Sequence, residues 1–174
     1  MSKIYNIVGF QVSWWACVLG VKYGMPYIGP AIMLIFLLIH FFFFSSGPHE
    51  LKLVFIFALF GTLIDSLFAF SNMLSYKGTY APDLLIAPLW ITAMWCGFCS
   101  TVNHSLAWLK NRWVSAFLLG AIFGPLSYIT GQKFGAIYFN SDLVTVNTIL
   151  ALVWGLSIPL IYWVNERLAS HTVK

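Results

Sequence analysis

One acidic residue, Asp65, sits deep inside an apolar stretch, the segment Ala-Leu-Phe-Gly-Thr-Leu-Ile-Asp-Ser-Leu-Phe-Ala-Phe-Ser-Asn at positions 58–72. A carboxyl in that setting can bind a proton or a cation, or can tie helices together as a hydrogen-bonded strut. Four histidines, His40, His49, His104 and His171, are the other groups able to do chemistry. His40 and His104 could share a metal or a haem, although no ligand-spacing motif joins them. Cys96 and Cys99 form a C-x-x-C, which signals redox chemistry in a soluble βαβ setting. On an apolar helix with no cation at that depth to favour a thiolate, they read as small packing residues. The sequence holds no Gly-rich phosphate loop, no G-x-S-x-G and no H-E-x-x-H, and no second intramembrane carboxylate for a dyad. It therefore identifies no catalytic set, and neither a metal nor a cofactor is expected.

The elements that must position these groups are membrane helices. The 174 residues are 60% hydrophobic and 8% charged, whereas a soluble domain carries about 25% charged residues. The net charge of +4 comes from basic residues between apolar runs, where a membrane protein keeps them, and does not point to nucleic acid. Three cysteines make no disulfide framework. Lys3 is a weak basic leader and no small-x-small site follows the first apolar run, so that run is expected to be retained.

About 17–25 apolar residues cross a bilayer. Six runs qualify, approximately Ile4–Val21, Tyr27–Phe44, Leu51–Ser71, Leu84–Leu109, Trp113–Thr130 and Leu143–Val164. The expected fold is an all-α bundle of six transmembrane helices, one domain over residues 1–174, with short connections making neighbours antiparallel. Pro88 and Pro125 are expected to kink the fourth and fifth helices, and Gly120 and Gly124 form a small-xxx-small packing pair.

Helical spacing sets Ala58, Gly61, Thr62, Asp65, Ser66, Ala69 and Asn72 on one arc, with Leu59, Phe60, Leu63, Leu67 and Phe70 opposite. Small and polar residues suit helix contacts and large apolar ones suit lipid, so Asp65 should face protein. An aspartate at a helix centre costs about 2.5–3.5 kcal/mol on an insertion scale. The twelve Leu, Ile, Val and Phe residues from Leu53 to Phe70 offset this with about 4–7 kcal/mol.

At about 1.5 Å per residue, Asp65 lies about 21 Å from the cytoplasmic end of its helix, His40 about 6–8 Å and His104 about 8–9 Å from theirs. Two polar regions follow. The outer one groups Asp65 with Thr92 and Cys96, Ser127 and Tyr128, and Asn147 or Thr148. The inner one groups His40, Asn103 and His104. Gln11 falls outside the polar arc of the first helix.

The ordered motifs Asn6…Phe10-Gln11…Trp14, Gly61-Thr-Leu-Ile-Asp65-Ser66, Ala87-Pro-Leu-Trp90…Trp95 and Gly124-Pro-Leu-Ser-Tyr128-Ile-Thr-Gly131…Gly135-Ala136 resemble a family of small multi-pass bacterial inner-membrane proteins, a domain of unknown function. The resemblance covers most of the chain. It implies genes that often neighbour cyclopropane-fatty-acid-synthase-like methyltransferases, and hence a role in membrane lipid modification or stress response. It carries no catalytic residues over.

The reading reached is a non-enzymatic accessory or scaffold protein of the bacterial inner membrane, in contact with membrane lipids and with a homodimer mate or a lipid-modifying partner. Two alternatives are a small proton- or cation-coupled transporter using Asp65, and a haem- or metal-binding oxidoreductase using His40 and His104. Six spans put both termini on one side, with Lys3, Lys52, Lys110, Arg112, Arg167 and Lys174, against Lys22, Lys77 and Lys133 on the other. The positive-inside rule then makes the termini cytoplasmic. A reporter fused after Lys174 is expected to signal from the cytoplasm; a periplasmic signal refutes this topology.

Overall fold

The computed structural model describes residues 2–81 and 84–170. His171 and Lys174 therefore lie outside the described residues, as do Pro82 and Asp83 of the longest loop. Six α-helices dominate the described residues: α1 (Ser2–Lys22), α2 (Ile28–Phe43), α3 (Pro48–Phe70), α4 (Leu89–Cys99), α5 (Trp113–Lys133) and α6 (Leu143–Ser170). Four of them, α1, α3, α5 and α6, are long and apolar enough to cross a membrane. Their outer faces carry large exposed apolar side chains, such as Phe55, Leu59, Leu63, Phe123 and Leu156. Length and composition make the chain a membrane protein.

Two helices are shorter than their apolar runs. α2 has 16 residues and α4 only 11. Pro88 does not kink α4 from within but occupies its N-cap, in extended conformation, where a residue without an N–H costs least. At the other end, the hydroxyls of Ser100 and Thr101 donate to the carbonyls of Gly97 and Phe98, at 2.7 and 2.6 Å. Such local bonds compete with the helical ladder, and the chain continues through turns and a short 3-10 segment, Ala107–Leu109. α5, by contrast, runs on through Pro125.

Three helices end alike. After α3, Asn72 takes a left-handed φ of 53°, while Met73 N–H donates to the Phe68 carbonyl and Asn72 N–H to that of Ala69. This is a Schellman cap. α5 ends the same way around Gly135, and α1 around Gly24. Asn72 is thus the residue beyond the helix end, not the last member of its polar arc.

The caps after α3 and α5 turn the chain into two short strands that the sequence did not announce, β1 (Leu74–Tyr76) and β2 (Ile137–Phe139). They pair antiparallel, Leu74 with Phe139 and Tyr76 with Ile137. Three residues are too few for an alternation signal to show, yet the pleat is decisive here: Leu74 and Tyr76 turn inward and Ser75 outward.

The helices pack in two groups joined through the middle. α1 lies on α2 and α4, α3 on α4 and α6, and α5 on α6. Trp90, Trp95, Tyr162, Phe57 and Leu53 fill the centre. Hydrogen bonds fasten α3 to the α4 region: the Thr62 and Thr92 hydroxyls share one at 2.6 Å, and Ala87 N–H donates to Ser66 Oγ at 2.9 Å. At the start of α6, Asp142 Oδ1 accepts the Thr145 N–H at 2.9 Å, which holds this carboxyl below its ordinary pKa.

Close α5–α6 packing depends on Gly120, whose added Cβ would strike the Trp154 carbonyl, and on Gly124, whose Cβ would strike the Trp154 side chain. Backbone cannot move aside as a flexible side chain can. Gly120→Leu is expected to destabilise the protein by about 1–3 kcal/mol, read as a lower thermal unfolding midpoint in detergent; an unchanged midpoint contradicts this packing.

Candidate functional site

Asp65 is fully buried, and three donors converge on it. Tyr128 Oη donates to Oδ1 at 2.6 Å, Tyr76 Oη to Oδ1 at 2.7 Å, and Trp95 Nε1 to Oδ2 at 2.8 Å. The donors come from α5, β1 and α4, so one carboxyl on α3 ties four elements together. Burial and the adjacent Asp65 carboxyl push the Tyr76 phenol well above its ordinary pKa, which keeps it a donor. Gly61, one turn before Asp65, lies beneath the Trp95 indole, and a Cβ there would overlap the ring.

Among the residues expected around Asp65, the structure brings Tyr128 alone into hydrogen-bond contact. Thr92 bonds Thr62 instead. Ser127 donates to the carbonyl of Gly124 on its own helix, and Asn147 and Thr148 to those of Leu143 and Val144. Trp95 and Tyr76 are the partners that sequence reasoning missed. Trp95 could have been found, because it lies on α4 three residues after Thr92, one helical turn away. Tyr76 could not, since its position depends on the β1–β2 register.

Two of the Asp65 donors also form a wall. Trp95 and Tyr128 line a cavity of about 400 Å3 between α1, α4, α5 and α6. Trp95 stacks on Trp154 there, with centroids 4.4 Å apart and planes 10° from parallel. Gln11 and Trp14 of α1 and Met94 of α4 complete much of the lining, which gives Gln11 a place. Trp15, Phe123 and Leu126 lie at the same cavity and on the exposed apolar surface. Trp15 meets Phe134 edge to face at 5.3 Å.

A second polar group lies at the other end of α3. His104 Nε2 is 3.0 Å from Glu50 Oε1, and His40 Nε2 is 3.4 Å from Glu50 Oε2. The two imidazoles stand edge to face with centroids 4.6 Å apart. All three residues are buried. Asn103 does not join them; it exchanges two hydrogen bonds with Asn165 of α6, at 3.0 and 2.7 Å.

Glu50 is the member of this group that the sequence does not single out. Its signal was local. Gly47 caps α3, Pro48 follows at the first position and Glu50 comes third, the order of an N-terminal cap with a carboxylate reaching back. Ser46 N–H donates to Glu50 Oε2 at 3.1 Å. Asp65 and His104 have separate partners, so the two polar groups are distinct. Cys96 and Cys99 are free thiols in the packed interior.

Residues 3–160 match a family model described as a protein of unknown function, DUF2878. No curated protein and no solved structure matches the chain.

With a leucine at position 65, three buried donors lose their acceptor, each at about 1–3 kcal/mol. Asp65→Leu is therefore expected to prevent stable folding. Asp65→Asn keeps an oxygen for Trp95, and the phenols can turn to accept from its amide, so a folded protein with a modestly lower unfolding midpoint is expected. Equal stability of the two variants contradicts the strut.

Proposed function

We propose that this chain, which belongs to the DUF2878 family over nearly its whole length, is an accessory protein of the bacterial inner membrane that holds the acyl chain of a membrane lipid. The observation that carries this reading is the cavity behind Asp65. Its volume of about 400 Å3 falls in the range of small-molecule sites, about 300–1,000 Å3. Its lining is mainly aromatic and aliphatic, with Gln11, Ser127 and Thr130 adding polar groups to the hydroxyl of Tyr128 and the indole N–H of Trp154. Its rim belongs to the apolar outer surface, which in a bilayer faces lipid tails. An acyl chain is the apolar molecule that surrounds such a rim.

Asp65 then has a positioning role. It holds Trp95 and Tyr128, two walls of the cavity, by hydrogen bonds of 2.8 and 2.6 Å. Because its oxygens already serve three donors, the geometry favours a strut over a carboxyl that carries protons or cations. In the same reading all six helices cross the membrane, α2 and α4 being completed by flanking non-helical residues, with both termini cytoplasmic.

The test is photolabelling of the purified protein with a diazirine-bearing fatty acid. Labelled peptides are expected from α1 and α5, and Ser127→Phe, which fills the cavity, should reduce the yield at least several-fold. Labelling spread evenly over the outer surface, or unaffected by Ser127→Phe in a folded variant, sinks the proposal.

A further inference from the structure

We infer that His40, Glu50 and His104 form a binding site for one divalent first-row transition-metal ion of the Zn2+ or Fe2+ type. The inference is independent of the acyl-chain cavity. It begins with three elements that end at one place: the last turn of α2 supplies His40, the first turn of α3 supplies Glu50, and the turns after α4 supply His104. Among the described residues this is the group whose ligand-type atoms gather, all within 4.8 Å of one another.

The spacing suits an ion. Tetrahedral ligands at about 2.0–2.1 Å from a metal lie about 3.3–3.4 Å from each other. The His104 Nε2–Glu50 Oε1 and His40 Nε2–Glu50 Oε2 separations are 3.0 and 3.4 Å. Small shifts would therefore seat an ion among the three.

His40 supplies the second observation. Its side chain is fully buried, and neither ring nitrogen makes a hydrogen bond. The 3.4 Å approach of Nε2 to Glu50 Oε2 lacks hydrogen-bond geometry. Leaving a buried polar group unpaired is unfavourable, and ligation removes that penalty. Glu50 is held from behind by the Ser46 N–H at 3.1 Å, the kind of outer contact that fixes a carboxylate ligand.

The donor set selects the metal class. Two imidazoles and one carboxylate suit Zn2+ and Fe2+, whereas Mg2+ and Ca2+ prefer oxygen ligands. Three protein ligands leave coordination positions open, the arrangement of reactive rather than closed structural metal sites.

The experiment uses the full chain, tag removed, in detergent, stripped with a chelator and titrated with Co2+. One ion per chain is expected, with visible ligand-field absorption that Zn2+ abolishes by displacement, and a rise of the unfolding midpoint in bound protein. Glu50→Gln and His40→Phe should weaken binding by more than the roughly 10–100-fold that outer contacts contribute. His49→Ala, in the adjoining turn, should bind like the wild type. If wild-type protein gives no such absorption and takes up no more Co2+ than Glu50→Gln, the site does not exist. Equal loss in His49→Ala also overturns it. Should the ligand variants fail to fold, the wild-type stoichiometry and spectrum still decide.

Discussion

A single carboxyl, shared by two phenols and an indole, holds the centre of this molecule. Burying a carboxyl in an apolar bundle is unfavourable unless its oxygens are satisfied. Here the satisfaction comes from three elements remote in sequence, 11, 30 and 63 residues from Asp65. The penalty for leaving it unpaired thus becomes a constraint on β1, α4 and α5. Each must sit where its donor can reach. The same bonds fix the indole of Trp95 and the ring of Tyr128 as cavity walls, so the polar strut and the apolar cavity are two faces of one arrangement.

The two Schellman caps after α3 and α5 serve that constraint. They turn the chain sharply enough for β1 and β2 to pair across the end of the bundle. The pleat then turns the Tyr76 side chain inward. A one-residue slip in register would point that side chain the other way and take a donor from Asp65. Two three-residue strands, negligible as a share of the fold, therefore decide whether its central hydrogen-bond set is complete.

The group around Glu50 follows a different logic. Around Asp65 the donors match the acceptor. Around Glu50 they do not: one carboxylate faces two imidazoles, and His40 is left without a hydrogen bond. Incomplete satisfaction of a buried polar group marks a place that something else completes; among the described residues Trp154 Nε1 and Asn147 Oδ1 also lack a hydrogen bond, but His40 lacks one at both ring nitrogens. The break in α4 matters here, because the turns after Cys99 bring His104 to Glu50 rather than continuing a helix.

By itself the sequence determined what depends on near neighbours. Apolar runs of bilayer length set the membrane class and the six helices, since hydropathy and helical period are summed over adjacent residues. The arc of small residues around Asp65 was legible for the same reason. The ends of α4 were not, because its apolar run continues past the points where Pro88 and the Ser100 and Thr101 hydroxyls interrupt the ladder. Only the tertiary structure decided which groups meet. Tyr76 and Trp95 at Asp65, Glu50 between His40 and His104, and Gln11 beside the cavity all depend on how distant elements close on one another. No local pattern encodes those distances, which are set by packing of the whole bundle and by the need of each buried polar atom for a partner.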